Sequence, residues 1–378
     1  MLFRDLFITA CTLTGQTERA ASRLGVGYFL PSLFKLRYAN MGGLDRELFG
    51  RQLMELKTFE ESSWCSYWNG FAEEYELEAE RLLGIDPGDA DERAQDLLIK
   101  ACTYYQVSAF PGDGPLKMKA YFKSREMFDR GNELLGRPAE KVTLDIAGEE
   151  VVGYSYFPEG EGNVPLCIIS NGLEGTVQEL CFPNLKNRDR GIAMFAMEMP
   201  GAYAYKKPMS PASQEIYSGV IDHFAGHPRV DADRISIVGV SFGGYWAARM
   251  AAVDPRVSRA VVCGAPIAEA FKAKGSLGTP EIIISVLKKV THATDLQSLQ
   301  KRLGDLSFDI GNLYSAIKCP MLIINGDNDT LVGTEDSIIL NARVERSFLK
   351  LYADDDHCAM GHYDEWLDLT IDWLLGNT

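Results

Sequence analysis

Two kinds of hydrophobic spacing divide this chain near residue 140. Before it, apolar residues recur every three or four positions. The segment Trp64–Gly84 sets Trp64, Trp68, Phe71, Tyr75 and Leu82 at helical intervals, and Ala94–Phe110 and Pro115–Gly136 are further amphipathic runs. Gly84, Pro87–Gly88, Pro111–Gly112 and Gly136–Pro138 punctuate these runs. The opening stretch MLFRDLFITACTLTG carries Arg4 and Asp5 ahead of a short apolar run, so it reads as a helix or strand of the domain rather than a signal peptide. Residues 1–140 are therefore expected to form a helical region.

From Lys141 the period changes. Lys141–Pro158 alternates with period two and predicts an antiparallel pair. Six short apolar runs follow: Pro165–Ser170, Ile192–Glu198, Arg234–Val240, Arg259–Ala265, Pro320–Gly326 and Ser347–Ala353. Continuous apolar strands separated by helical stretches imply a parallel sheet covered on both faces. The prediction is an α/β domain over 141–378 with an eight-stranded, mostly parallel sheet. A helical insertion over 267–317 separates the sixth and seventh strands.

The chemistry gathers at strand ends. Gly239-Val240-Ser241-Phe242-Gly243-Gly244 follows the strand RISIVGV and opens the helix YWAARMAAV. A serine at such a strand-to-helix turn is the nucleophile of the α/β-hydrolase fold, held above the sheet edge beside a helix N-terminus that suits a developing oxyanion. In that fold the acid and then the base come later in the chain. The seventh strand ends in Gly326-Asp327-Asn328-Asp329, and the eighth in Asp354-Asp355-Asp356-His357. The spacing from Gly326 selects Asp329 as the acid, with Asp327 as runner-up and turn-forming residue. His357 is the expected base. His362 reads as a surface or capping residue, and His223, His227 and His292 as ordinary helix or loop residues. The oxyanion hole needs the N–H of Phe242 and one from the loop Asn171–Thr176, where Leu173 is the candidate. Glu174 either caps the next helix or faces the site.

Composition narrows the function. The net charge of −15 disfavours nucleic acid and anionic membranes as partners. The eight cysteines form no C-x-x-C pair, which fits neither a zinc site nor a disulfide framework; reduced thiols point to the cytoplasm. No apolar run reaches the ~18 residues of a membrane span. No metal or cofactor is expected, and the partner is a small-molecule substrate.

The run Met197–Ser213, followed by DRISIVGVSFGGYWAARMAAVDPRVSRAVVCGAP, resembles the fermentation–respiration switch (DUF1100-type) branch of α/β hydrolases. The segments NGLEGTVQE and DDDHCAMGH resemble loops of 2,6-dihydroxypseudooxynicotine hydrolase and of hydrolases that shorten aromatic polyketides in pigment and anthraquinone pathways. The resemblance runs from about Trp64 to the C-terminus. It implies that Ser241, Asp329 and His357 form a catalytic triad, that the N-terminal helices are a cap over the site, and that the protein is a homodimer. Trp64, Trp68, Tyr104 and Tyr105 then either line the pocket or serve as core. An extra acidic residue in the family's insertion has two candidates here, Glu269 and Glu281, and neither is assigned. The first functional expectation is hydrolytic C–C cleavage of a 1,3-dicarbonyl or aromatic polyketide. The alternatives are a carboxylesterase or thioesterase using the same residues, and a non-catalytic binding module.

Overall fold

The computed structural model describes residues 2–31, 33–84, 89–112, 114–272 and 279–377. The expected break at Pro87–Gly88 lies outside them. The chain separates into two compact units, residues 1–139 with 277–286, and residues 140–276 with 287–378.

The first unit is helical. Among the described residues before 140, the α-helices are α1 (Leu2–Thr14), α2 (Thr17–Leu24), α3 (Leu33–Gly42), α4 (Arg46–Glu55), α5 (Glu61–Leu83), α6 (Asp89–Ala109) and α7 (Pro115–Glu133). The first of these settles the opening stretch as a helix. Local capping starts two others: the Asp45 carboxylate accepts the N–H groups of Glu47 and Leu48, and Glu60 accepts those of Ser62 and Ser63. The three longest helices pack on one another, and their core is aromatic. Trp64 and Trp68 meet edge-on at 5.9 Å, and Trp68 and Tyr104 stack at 6.3 Å.

The second unit holds one eight-stranded sheet: β1 (Glu140–Ile146), β2 (Glu149–Tyr156), β3 (Val164–Ser170), β4 (Ala193–Met197), β5 (Val230–Val240), β6 (Val257–Cys263), β7 (Met321–Gly326) and β8 (Ser347–Tyr352). The spatial order is β1-β2-β4-β3-β5-β6-β7-β8. β1 and β2 pair antiparallel, as do β2 and β4; every later pairing is parallel. The central strands are buried at consecutive rather than alternate positions, so both sheet faces are covered. The coverage comes from α8 (Val177–Asn184), α9 (Gln214–Ala225), α10 (Phe242–Val253), α13 (Thr334–Arg343) and α14 (Tyr363–Leu375), while α11 (Glu281–Thr291) and α12 (Leu296–Gly304) lie between β6 and β7.

The sequence pattern places β5 at Arg234, yet the strand starts four residues earlier. Asp231, Ala232 and Asp233 carry no apolar signal, but Val230 pairs with Val164 across a register shift. Backbone pairing extends the strand where side-chain pattern is silent.

Candidate active site

The parallel strands bring the ends of β3, β5, β6, β7 and β8 to one edge of the sheet. β5 stops at Val240 and α10 starts at Phe242, leaving Ser241 as the whole of the turn. Its backbone stands at φ 56°, ψ −122°, which L-residues rarely adopt. The Cys263 carbonyl at the end of β6 accepts the Ser241 N–H at 2.7 Å and so anchors the turn. Two glycines let it close. A Cβ on Gly239 would overlap the backbone of Gly243, and one on Gly243 would overlap the Ser170 carbonyl.

His357 begins the segment after β8. Its Nε2 lies 2.9 Å from Ser241 Oγ, and its Nδ1 lies 2.8 Å from Asp329 Oδ2. The other oxygen of Asp329 accepts the N–H groups of Leu331 and Val332, both at 2.9 Å. Asp356 holds the His357 N–H at 2.8 Å and also takes the Thr330 N–H, tying the loop after β7 to the segment after β8. The three side chains thus form a continuous hydrogen-bonded array. Asp327, by contrast, is exposed and accepts the Asp354 N–H across the turn.

Burial disfavours charge on both Asp329 and His357, but each supplies what the other lacks. The His357 charge, with the N–H of Val332 and the Asn325 amide, holds the Asp329 carboxyl well below the usual carboxylate range. Burial of the imidazole is outweighed by the Asp329 carboxylate, which keeps the His357 pKa well above its ordinary value of 6.5.

The loop after β3 presses against the turn. A Cβ on Gly172 would lie 2.6 Å from that of Ser241 and 3.1 Å from its Oγ, so only glycine permits this approach. Among the described residues no hydrogen bond occupies the N–H of Leu173 or of Phe242. A half-buried serine hydroxyl on an imidazole–carboxylate pair, beside two available N–H donors, is equipped for attack on a carbonyl.

Known proteins resemble this chain in sequence and in fold. The sequence model of the family described as FrsA-like (Esterase FrsA-like) matches residues 75–377. The chain belongs to the FrsA-like esterase family. It is a hydrolase of the α/β fold. This FrsA-like chain is 28% identical over 302 residues to the 2,6-dihydropseudooxynicotine hydrolase of Paenarthrobacter nicotinovorans, covering 79% of this chain and 80% of that one. It is 25% identical over 295 residues to esterase FrsA of Vibrio cholerae serotype O1, covering 75% and 70%. The crystal structure of the 2,6-dihydroxy-pseudo-oxynicotine hydrolase superposes with a TM-score of 0.76 at 26% identity, covering 91% of this chain and 96% of that one. AbyA5 superposes with a TM-score of 0.74 at 21% identity, covering 92% and 95%, a likeness of fold.

The other expected residues of this FrsA-like chain have partners of their own. Trp64, Trp68, Tyr104 and Tyr105 are each at most 2% exposed. Within the helical unit Trp64 donates to the Val107 carbonyl, Tyr104 to Gln52 and Tyr105 to Glu76. Each serves as a core side chain of that unit. Glu174 does not cap α8, whose N-cap is Thr176; it is fully buried and pairs with Lys289 at 3.3 Å. Glu269 pairs with Lys272, and Glu281 opens α11, in the part of that helix that belongs to the helical unit. His362 is the N-cap residue of α14, and its Nδ1 bonds Asp355 at 2.8 Å.

Asn325 escaped the sequence reading. It is fully buried; its amide N–H donates to Asp329 Oδ2 at 2.9 Å, and its carbonyl accepts the N–H groups of Gly326 and Cys358, both at 2.9 Å. Its position at the end of β7, four residues before Asp329, was the one available signal.

Proposed function

We propose that Ser241 is the nucleophile, His357 the general base and Asp329 its orienting acid, with the N–H groups of Phe242 and Leu173 as the oxyanion hole. The array Ser241 Oγ–His357 Nε2 at 2.9 Å and His357 Nδ1–Asp329 Oδ2 at 2.8 Å supports this reading. The substrate we infer is a 1,3-dicarbonyl or aromatic polyketide ketone. Support comes from the resemblance of the loops bearing Leu173 and His357 to those of polyketide-shortening hydrolases, and from similarity to the pseudooxynicotine hydrolase.

Ser241 Oγ attacks the ketone carbon while His357 Nε2 takes its proton. The tetrahedral oxyanion collapses, the C–C bond breaks, and its electron pair leaves as a stabilised enolate or phenolate. That carbanion equivalent takes the proton from His357. Water, deprotonated by the same imidazole, then cleaves the acyl-serine and restores Ser241. A carboxylesterase or thioesterase would run the same steps with an alkoxide or thiolate leaving group. Membership of an esterase family favours that second reading.

The discriminating experiment presents an acyl-phloroglucinol or β-diketone beside a simple aryl ester and seeks an acyl adduct on Ser241 by mass spectrometry. Rapid ester hydrolysis with the ketone left intact would overturn C–C cleavage. The proposal also keeps substrate selection as the helical unit's role. A truncated protein lacking residues 1–139 that stays folded and keeps its KM would refute that part. A cytoplasmic homodimer completes it, to be tested by light scattering and fractionation; none of the eight cysteines forms a disulfide, and no described helix is long and apolar enough to cross a membrane.

A further inference from the structure

Glu174 follows the residue that would supply the second oxyanion donor, and its environment is unusual on three counts. Its φ is +54°, in the left-handed region that a glutamate seldom occupies. Its side chain is fully buried, with the Lys289 ammonium 3.3 Å away as its counter-charge. Its carbonyl accepts the Tyr203 hydroxyl at 2.9 Å. Tyr203 is itself left-handed at φ +40°, and the Lys289 ammonium sits 5.4 Å from its ring centroid. Lys289 and Tyr203 are in turn held together, because the Met209 N–H bonds the Val290 carbonyl at 2.6 Å and a Cβ on Gly201 would lie 3.1 Å from that same oxygen. Two residues upstream, Gly172 lies against Ser241.

We propose that Lys289, Glu174 and Tyr203 form a brace that holds the strained backbone at Leu173–Glu174 and so aims the Leu173 N–H at the oxyanion. The last turn of α11 is thereby a positioning element of catalysis, although Lys289 is 115 residues from Glu174 in the chain. The inference rests on the reading of Ser241 and Leu173 given above. The physics is that of a buried carboxylate beside a cation. Without Lys289 the buried carboxylate loses its counter-charge, and a side chain that swings toward water loosens the left-handed backbone it is attached to. The ground-state substrate does not sense that change; the tetrahedral oxyanion does.

The test uses the full chain with 4-nitrophenyl acetate as substrate and an aryl trifluoromethyl ketone as the oxyanion-forming inhibitor. Lys289→Met, Glu174→Gln and Tyr203→Phe should each lower kcat on the order of tenfold, with KM within about twofold and inhibitor affinity falling in parallel with kcat. Lys289→Arg should restore most of the loss. Adding Lys289→Met to Glu174→Gln should cost little more, since the buried charge is already gone. Variants that keep wild-type kcat, or that lose kcat only as their folded fraction falls, would overturn the brace. Ser241→Ala separates the two levels. If it is inactive while the brace variants behave as wild type, only the brace falls; if it retains activity, the nucleophile assignment and the brace fall together.

Discussion

Asn325 donates its amide N–H to Asp329 Oδ2, the same oxygen that meets His357 Nδ1, at 2.9 Å against 2.8 Å for the imidazole. The carboxylate is thus clamped from two sides in the plane it must keep. Asn325→Ala removes that donor and strips the acceptor from the N–H groups of Gly326 and Cys358. The expected cost is about 2–4 kcal/mol of stability, from buried N–H groups left unpaired. A kcat loss of about 10- to 100-fold should accompany it. Urea unfolding and steady-state kinetics on an aryl ester check both numbers together.

Asp329→Asn should lower kcat by about four orders of magnitude, because an amide cannot stabilise the imidazolium. Asp327→Asn should cost less than about fivefold, since that side chain only holds the Asp354 N–H at an exposed turn. The reverse ranking, measured on the same substrate, would exchange their roles.

The pH profile carries its own sign. His357 must be neutral to accept the Ser241 proton, and its folded pKa is raised above 6.5 by Asp329 against the opposing effect of burial. As pH falls through that raised value the imidazole becomes charged and kcat/KM falls. The acid limb should therefore lie above pH 6.5, with the rate still climbing on the alkaline side of neutrality. In Asp329→Asn the largest influence raising the His357 pKa is lost while burial stays, so the residual activity should show its acid limb shifted downward. An upward shift would contradict the coupling.

Gly172→Ala would set a Cβ 2.6 Å from that of Ser241, closer than two carbons approach. The loop must retreat and take the Leu173 N–H with it. A kcat loss of about 100-fold or more is expected, comparable to removing an oxyanion donor. The melting temperature should move by only a few degrees.

Ser241 pays in conformation for its place at the turn. Ser241→Gly should relieve the φ 56°, ψ −122° strain and raise stability by about 1 kcal/mol while abolishing turnover. Paired thermal melts of wild type, Ser241→Ala and Ser241→Gly will show whether the glycine variant is the most stable of the three.

What the sequence determined by itself was everything local. Period-two and continuous apolar runs mark the strands because each strand buries its own residues, and the change of spacing near residue 140 separates the helical unit from the sheet. The turn at Ser241 is legible because glycines at 239 and 243 are a steric demand of the turn itself. What only the tertiary structure decided was which polar groups meet. Asp327 and Asp329 leave the same strand two residues apart, and the pairing of β7 with β8 sends one to a turn and the other to the imidazole. Trp64 and Tyr104 read equally well as pocket or core, and only the fold shows that both are buried beside Trp68, between α5 and α6. Lys289 carried no signal at all, and Asn325 only its place at the end of β7. Each gains its role from partners brought beside it by the fold, and an isolated asparagine or lysine looks alike wherever the chain happens to place it.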